Sequence, residues 1–331
     1  MENYCLLSTH SHKNLALQIS KISKIPFIDT DIEYFANKEI RTTIKESIRG
    51  KNIFIVTSPN TNDKYSINDY IMETYLLIST CKRSDANNIT LVCPCYPYAR
   101  QDKKNMSRMC ISAKDMADLF VNAGINRIMS YDLHSHQIQG FFNIPCDNFY
   151  CIDLIHQYLV DNYNINENDS KLSQKYVIIA PDEGSLKRVQ KYASKFKMPF
   201  LVVSKERDYT QINKVDKAVL IGDKKHLVGR TAIIIDDMAD TCGTVFKVSH
   251  LLMQHGAYDV IVMVTHGIFS NNALEKLNNI TYISKFVVSD TLPQEENKKI
   301  CDKLDVYTIV PSISNILLKI INGESLSEVF E

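Results

Sequence analysis

The residues best suited to chemistry lie together in TAIIIDDMADTCGT, Thr231 to Thr244. Ala232 to Ile235 reads as a buried parallel strand. It runs straight into Asp236, Asp237 and Asp240, then into a Thr-Cys-Gly-Thr turn ahead of an apolar-periodic helix. Backbone N–H groups of Asp240, Thr241, Cys242, Gly243 and Thr244, with the hydroxyls of Thr241 and Thr244, can converge on a phosphate at the positive end of that helix. Gly243 lets the backbone approach the anion closely. Acids beside a phosphate repel it, so Asp236 and Asp237 must face sugar hydroxyls or a hydrated Mg²⁺ ion instead. A lone Asp-Thr at a strand-helix junction is more economically a helix cap, but two further acids after four buried apolar residues exceed what a cap needs.

Other polar clusters stand at strand ends. Pro94 to Cys110 follows the strand Ile89 to Cys93 and carries Arg100, Lys103, Lys104 and Arg108 with few apolar residues beyond Tyr98. Such a segment has no core to hold it and is expected to be mobile when empty. A charge run is usually a solvated face, yet its place after a strand of an α/β pattern favours a ligand. Asp132, His134 and His136 close the strand Arg127 to Tyr131; residues two apart share a strand face, so all could address one ion. On spacing alone, a hydrogen-bonded histidine pair is the simpler reading. Asp182 opens the turn after the strand Tyr176 to Ala180, and Lys205 and Arg207 follow the strand Phe200 to Val203, where spacing suggests only a solvated end. Phe35, Asn37 and Glu39 sit at the tip of a hairpin expected to end in the buried strand Ile53 to Thr57, and Ser47, Arg49 and Gly50 form a charged turn.

The elements that position these groups alternate strand and helix, which implies an α/β fold with mainly parallel sheets flanked by helices. An internal duplication divides the chain: LFVNAGINRIMSYDLH and LLMQHGAYDVIVMVTH both place a Gly ahead of a buried strand and a His at its end. The expected domains are 1–150 and 151–311, with a C-terminal helix at Ser312 to Ile321, within 312–331, packing back on the first. QGFFNIPCDN, Gln139 to Asn148, is expected to pack between subunits or domains. Charges balance at 38 basic and 38 acidic residues, which argues against electrostatic capture of nucleic acid. No apolar run reaches the ~18 residues that span a bilayer, and no charged leader precedes an apolar core. Nine cysteines without a CxxC pair read as reduced thiols. A cytoplasmic protein binding neither membrane nor nucleic acid is expected.

DDMADTCGT is similar to the phosphoribosyl-diphosphate-binding signature of type I phosphoribosyltransferases and ribose-phosphate diphosphokinases. The ordered set FANKE, ESIRG, CPCYPYARQDKK, DLHSHQIQGFF, PDEGSLKR, SKERD, DDMADTCGT, THGIFS and NGES resembles the phosphate-responsive class I ribose-phosphate diphosphokinases across nearly the whole chain. The resemblance implies two similar type I phosphoribosyltransferase-like domains. It also implies transfer of the β,γ-diphosphoryl group of ATP to the 1-hydroxyl of ribose 5-phosphate. By the same resemblance Phe35, Asn37 and Glu39, with Lys38 between them, contact adenine from a neighbouring subunit. Arg100 and Gln101, with Asp102 beside them, contact ATP. His134 and Asp182 match Mg²⁺ positions, with Asp132 nearby. Lys205 matches the catalytic lysine, Arg207, also counted as catalytic, and Asp236 match the ribose-phosphate contacts with Asp237 beside them, and Asp240 to Thr244 form the 5-phosphate loop. Ser47 and Arg49 resemble part of a regulatory site for phosphate or ADP in a homo-oligomer of dimers built into a hexamer. Departures are Glu183 and Ser185 in PDEGS, His136, and Asn143 where Asp is usual. A non-catalytic regulatory subunit would be expected to lose the basic loop or Lys205, and a phosphoribosyltransferase would lack YARQDKK; neither loss is present.

Overall fold

The computed structural model describes residues 2–163, 165, 172–206 and 217–330. Contacts divide the chain into two units, Met1–Cys151 with Thr291–Pro293 and Thr308–Glu331, and Ile152–Asp290 with Gln294–Tyr307.

In the first unit, β1 (Tyr4–Ser8), β4 (Asn52–Val56), β5 (Asn88–Val92), β6 (Arg127–Tyr131) and β7 (Cys146–Phe149) form a parallel sheet in that order. β1, β4, β5 and β6 are short runs buried over four of their five positions, as parallel strands under helices must be, whereas β7 at the edge is polar and only half-buried. β2 (Thr30–Tyr34) and β3 (Ile40–Ile44) form a separate antiparallel hairpin that closes at Ile44 and not, as expected, in the strand at Ile53 to Thr57, because both edges of β4 are taken by β1 and β5. Helices α1 (Lys13–Ser23), α2 (Ile67–Arg83) and α3 (Ser112–Ala123) cover the sheet with one apolar stripe each. The start of α2 is fixed by a capping box, Ser66 with Asp69.

The second unit has α4 (Ile152–Tyr163), α5 (Leu172–Lys175), α6 (Leu186–Phe196), α7 (Gly243–Gln254), α8 (Ala273–Asn278) and α9 (Glu295–Ile300) around a seven-stranded sheet. Its strands, β8 (Tyr176–Ala180), β9 (Phe200–Glu206), β10 (Lys217–Ile221), β11 (Thr231–Ala239), β12 (Asp259–Gly267), β13 (Ile283–Ser289) and β14 (Leu304–Tyr307), lie in the order β10-β9-β8-β11-β12-β13-β14. All pairs are parallel except β9 with β10. The alternation of strand and helix does not extend to that pair. β10 follows β9 without a helix among the described residues, and a parallel connection needs a crossover of a dozen residues or more. The chain ends in α10 (Val310–Asn322), which packs against α1 of the first unit, and α11 (Ser327–Phe330).

The duplicated pattern is realised as helix, glycine, strand in both units. Gly124 after α3 and Gly256 after α7 take φ values of 122° and 92°, a region that penalises any residue with a Cβ. The two copies diverge at the strand end. β12 continues through His266, which is buried, whereas β6 stops at Tyr131 and leaves His134 exposed in a turn.

Candidate active site

The crevice of the second unit lies where the strand order changes direction. β8 leads through α6 to β9 on one side, and β11 leads through α7 to β12 on the other, the arrangement that opens a pocket beyond the carboxyl ends of parallel strands. β11 pairs with β8 only from Thr231 to Ile234 but with β12 as far as Ala239. Asp236 and Asp237 therefore stand on a strand that has outrun one neighbour. Both acids belong to the strand rather than to the turn after it.

Asp237 is buried and Asp236 is nearly so. Burial above all, then the charge of Asp237, pushes the Asp236 carboxyl well above its usual range; Arg188 opposes this and Asp182 adds to it. Arg188 Nη1 stands 3.5 Å from Asp236 Oδ1 and 3.5 Å from Asp237 Oδ1. Beyond them Cys242 takes a left-handed φ of 58° and α7 begins at Gly243. That turn aims the free N–H groups of the first helical turn past the exposed Thr241, Gly243 and Thr244. Burial pushes the Cys242 thiol up to about 12, so the loop holds a neutral thiol and adds no negative charge beside a phosphate. Asp240 is half-buried at the same turn.

Asp182 opens the turn after β8. Its Oδ1 accepts from the Ser185 N–H at 2.9 Å, and Ser185 Oγ donates to the Asp182 carbonyl at 2.8 Å. Ser204 Oγ donates to Glu183 Oε1 at 2.6 Å, joining this turn to β9. The backbone of β9 continues through Lys205 to Glu206, past the expected end at Val203. Arg207 lies outside the described residues, as do the side chain of Lys205 and much of the polar stretch 161–175.

In the first unit Phe35, Asn37, Lys38 and Glu39 form the exposed tip between β2 and β3. The tip is closed by Phe35 N–H to Glu39 O at 2.8 Å and by Glu39 N–H to Asn37 Oδ1 at 3.1 Å, with Lys38 at φ 71°. The basic segment after β5 differs from the sequence expectation. Pro94 to Pro97 and Ala99 are buried, Tyr96 donates to Ala113 O at 2.9 Å, and only from Arg100 onward is the chain exposed. Tyr96 and Ala99 pack into the core, an anchorage that a count of charges overlooks. Gln101 accepts from Ser112 Oγ at the start of α3, and Asp102 Oδ2 accepts from Gln137 Nε2 at 2.9 Å. QGFFNIPCDN likewise turns inward: Phe142 is buried in the core of its own unit with the partly buried Phe141 and Ile144 packed against that core, and Phe142 meets Tyr96 edge-on.

Asp132, His134 and His136 do not share a strand face. β6 ends before them and Asp132 reverses the chain at φ 39°. Asp132 is buried with Oδ2 accepting from the Cys151 N–H at 3.0 Å, while His134 and His136 are exposed. His136 Nδ1 is hydrogen-bonded to Tyr150 OH at 3.0 Å. Among the described residues no group of three or more His, Cys, Asp or Glu side chains is arranged to hold a metal by itself. Ser47 and Arg49 line an open pocket of about 370 Å³ with Thr42, Thr43, Thr80 and Ser84, and Arg49 is paired with Asp85 at 2.7 Å.

Two comparisons decide what this arrangement belongs to. Residues 4–124 match the N-terminal domain of ribose phosphate pyrophosphokinase, and residues 217–331 match the phosphoribosyl synthetase-associated domain. The chain is 40% identical over 325 residues to ribose-phosphate pyrophosphokinase 4 of Saccharomyces cerevisiae, covering 98% of this chain and 94% of that relative. The chain belongs to the ribose-phosphate pyrophosphokinase family. Ribose-phosphate pyrophosphokinase 2 of the same yeast is also 40% identical, across 98% of this chain and 96% of its own. The crystal structure of phosphoribosylpyrophosphate synthetase from Mycobacterium smegmatis superposes with a TM-score of 0.86 at 33% identity, covering 97% of this chain and 99% of that one.

For a ribose-phosphate pyrophosphokinase of this family, the residue that sequence reasoning missed is Arg188. PDEGSLKR is one of the recognised strings, yet no role attaches to its arginine from spacing. One signal was available: the first turn of α6 carries no acid and a Lys-Arg pair, although a helix N-terminus ordinarily favours acids. A cation placed against that preference answers a negative charge elsewhere, here the two aspartates of β11. Gln137 and Ser204 were also missed, because their partners are distant in sequence.

Proposed function

We propose that the chain transfers the β,γ-diphosphoryl group of ATP to the 1-hydroxyl of ribose 5-phosphate, giving phosphoribosyl diphosphate and AMP for nucleotide biosynthesis. The observation that carries this reading is the strand-turn-helix from Asp236 to Thr244, with two carboxylates held by one arginine beside a helix N-terminus. The near full-length likeness to pyrophosphokinases supports a catalytic enzyme over a phosphoribosyltransferase or a non-catalytic subunit.

The first turn of α7 with Thr241 and Thr244 binds the 5-phosphate. Asp236 and Asp237 accept from the ribose hydroxyls and, fixed by Arg188, orient the sugar. Diphosphoryl transfer demands in-line positioning and neutralisation of spreading negative charge rather than a side-chain nucleophile. Lys205 and Arg207 supply that charge from the end of β9, and Arg100, with Gln101 and Asp102 at its base, supplies it to the nucleotide phosphates. Phe35, Asn37, Lys38 and Glu39 recognise the adenine, reaching a neighbouring subunit of a homo-oligomer of dimers assembled into a hexamer.

Mg²⁺ fits the donors present. It is held by one or two carboxylates together with substrate phosphates and water rather than by a full protein cage, and the mutual repulsion of Asp236, Asp237 and Asp182 marks an excess of negative charge that a cation relieves. In the second unit Asp182 would hold it; in the first, His134 is the matching metal position, with Asp132 at the start of its turn. When bound it neutralises charge on the transferred phosphates.

Ser47 and Arg49 form a regulatory site for phosphate or ADP. Its pocket is lined largely by hydroxyls, and Thr42 Oγ1 is buried there without a hydrogen-bond partner. A reducing, cytoplasmic setting is supported by nine free cysteines; no helix among the described residues is long and apolar enough to cross a membrane.

The test is incubation of the purified chain with ATP, Mg²⁺ and ribose 5-phosphate, with and without inorganic phosphate. AMP and phosphoribosyl diphosphate are expected in equal amounts, dependent on ribose 5-phosphate. Failure to form either from these substrates overturns the reading.

A further inference from the structure

An isolated two-stranded ribbon is marginally stable, so the place of its tip is set by whatever grips its base. β2 and β3 pair only with each other in a sheet of their own, and Phe35 at the tip is 51% exposed. The base is held by Thr30, whose hydroxyl donates to Ser8 O at 2.8 Å, the middle by the buried Ile32, and the tip end by Tyr34, which pairs with Ile40 and is the immediate neighbour of Phe35.

Tyr34 donates its hydroxyl to Glu73 Oε1 at 2.7 Å. Glu73 projects from α2 and is 0% exposed. Its remaining partners are both from His10: the main-chain N–H donates to Oε2 at 3.0 Å, and Nδ1 lies 3.0 Å from Oε1. A carboxylate is kept in such a place only where its oxygens are hydrogen-bonded. Burial, with Glu73 adding to it, holds the Tyr34 hydroxyl protonated far above its ordinary range, so it remains a donor.

The face of Tyr34 is covered by Tyr65, with ring centroids 4.6 Å apart at 23°. Tyr65 also stacks on His10 at 6.2 Å and meets Tyr70 edge-on at 5.6 Å. The loop presenting Tyr65 is itself built: Asn62 Oδ1 accepts from the N–H groups of Lys64 and Tyr65 at 2.9 and 2.8 Å, and Asn62 Nδ2 donates to Tyr70 OH at 2.6 Å. Two side chains of α2 thus fix the loop and the hairpin against one another.

We propose that Tyr34, Glu73, Tyr65 and His10 form a clamp that positions the tip Phe35–Glu39 for the base of the nucleotide substrate. Tyr34 and Glu73 are then positioning residues for ATP, and the inference rests on the assignment of the tip to adenine. Loosening the clamp lowers the fraction of tips held ready, which raises the apparent dissociation constant for the base in proportion and leaves the ribose 5-phosphate cradle untouched.

Steady-state kinetics on the full chain tests this with Tyr34→Phe, Tyr65→Leu and Glu73→Gln, using Phe35→Ala as reference and recording the Tm of each. Tyr34→Phe keeps the ring stack and removes only the hydroxyl. It is expected to raise KM for ATP about fivefold, to narrow the preference for ATP over GTP, and to leave KM for ribose 5-phosphate and kcat at saturating ATP within about twofold. Tyr65→Leu should move the same two quantities, so the test survives if Glu73→Gln fails to fold. If Phe35→Ala raises KM for ATP while Tyr34→Phe changes only the Tm, the clamp is overturned and the tip assignment stands. If Phe35→Ala leaves KM for ATP unchanged, both are overturned.

Discussion

Arg188 Nη1 is shared between Asp236 and Asp237, 3.5 Å from an oxygen of each. The two adjacent carboxylates repel one another across that shared guanidinium, and burial together with that repulsion raises the Asp236 carboxyl. The cost falls on the ligand-free protein. Asp236 has its folded pKa above the unfolded value, so the stability linked to it is fully present below the unfolded pKa of about 4 and is lost as pH rises through the folded value.

Asp237→Asn is therefore expected to raise the Tm of the ligand-free protein by about 2–4 °C, as relief of roughly 1 kcal/mol of repulsion, while weakening ribose 5-phosphate binding. The gain should grow as pH rises above the ordinary carboxylate range, because the raised Asp236 carboxyl is neutral and repels little at low pH and ionises only as pH climbs. Thermal melts across pH check the sign; a gain that shrinks as pH rises contradicts the account. Arg188→Gln should do the reverse, because it removes the guanidinium that both carboxylates share, at a cost of about 3 kcal/mol.

Lys205→Ala should fold normally and lose most of kcat, a factor of about 100 or more for removal of one transition-state charge. Circular dichroism and turnover at saturating substrates separate the two effects. Near-wild-type turnover would remove Lys205 from the mechanism.

The Ser204 to Glu183 hydrogen bond ties the Asp182 turn to the strand that carries Lys205. Removing either side alone, by Ser204→Ala or Glu183→Ala, should cost kcat by a similar small factor, and the double variant should be no worse than the poorer single one. The coupling expected is about 0.5–1 kcal/mol, as for a single solvent-facing hydrogen bond. Additive losses would show that the two residues act independently.

Gly267 ends β12 opposite Ala239, beside the cradle. A Cβ there would stand 2.6 Å from Phe269 Cε2 and 3.0 Å from Val288 Cγ1. Gly267→Ala is expected to destabilise by about 1–3 kcal/mol through overpacking. Gly140→Ala, where an added Cβ meets nothing within 4 Å, should leave the Tm within about 1 °C. Equal melting points for the two variants would contradict the packing argument.

Local pattern was enough to read much of this protein before any coordinates. The apolar runs of β6 and β8, the turn at Phe35 to Glu39, and the acids and Thr-Cys-Gly-Thr turn around β11 are each written in consecutive residues, because strand burial and turn chemistry act over a few positions. Tertiary structure alone decided that β10 runs antiparallel, that Pro94 to Ala99 sink into the core beneath the basic loop, that Asp132 turns inward away from His134, that Arg188 answers Asp236 and Asp237, and that Glu73 holds Tyr34. Each of these joins groups far apart in the chain, and their energies come from burial and charge pairing that exist only once the sheets have brought the partners together.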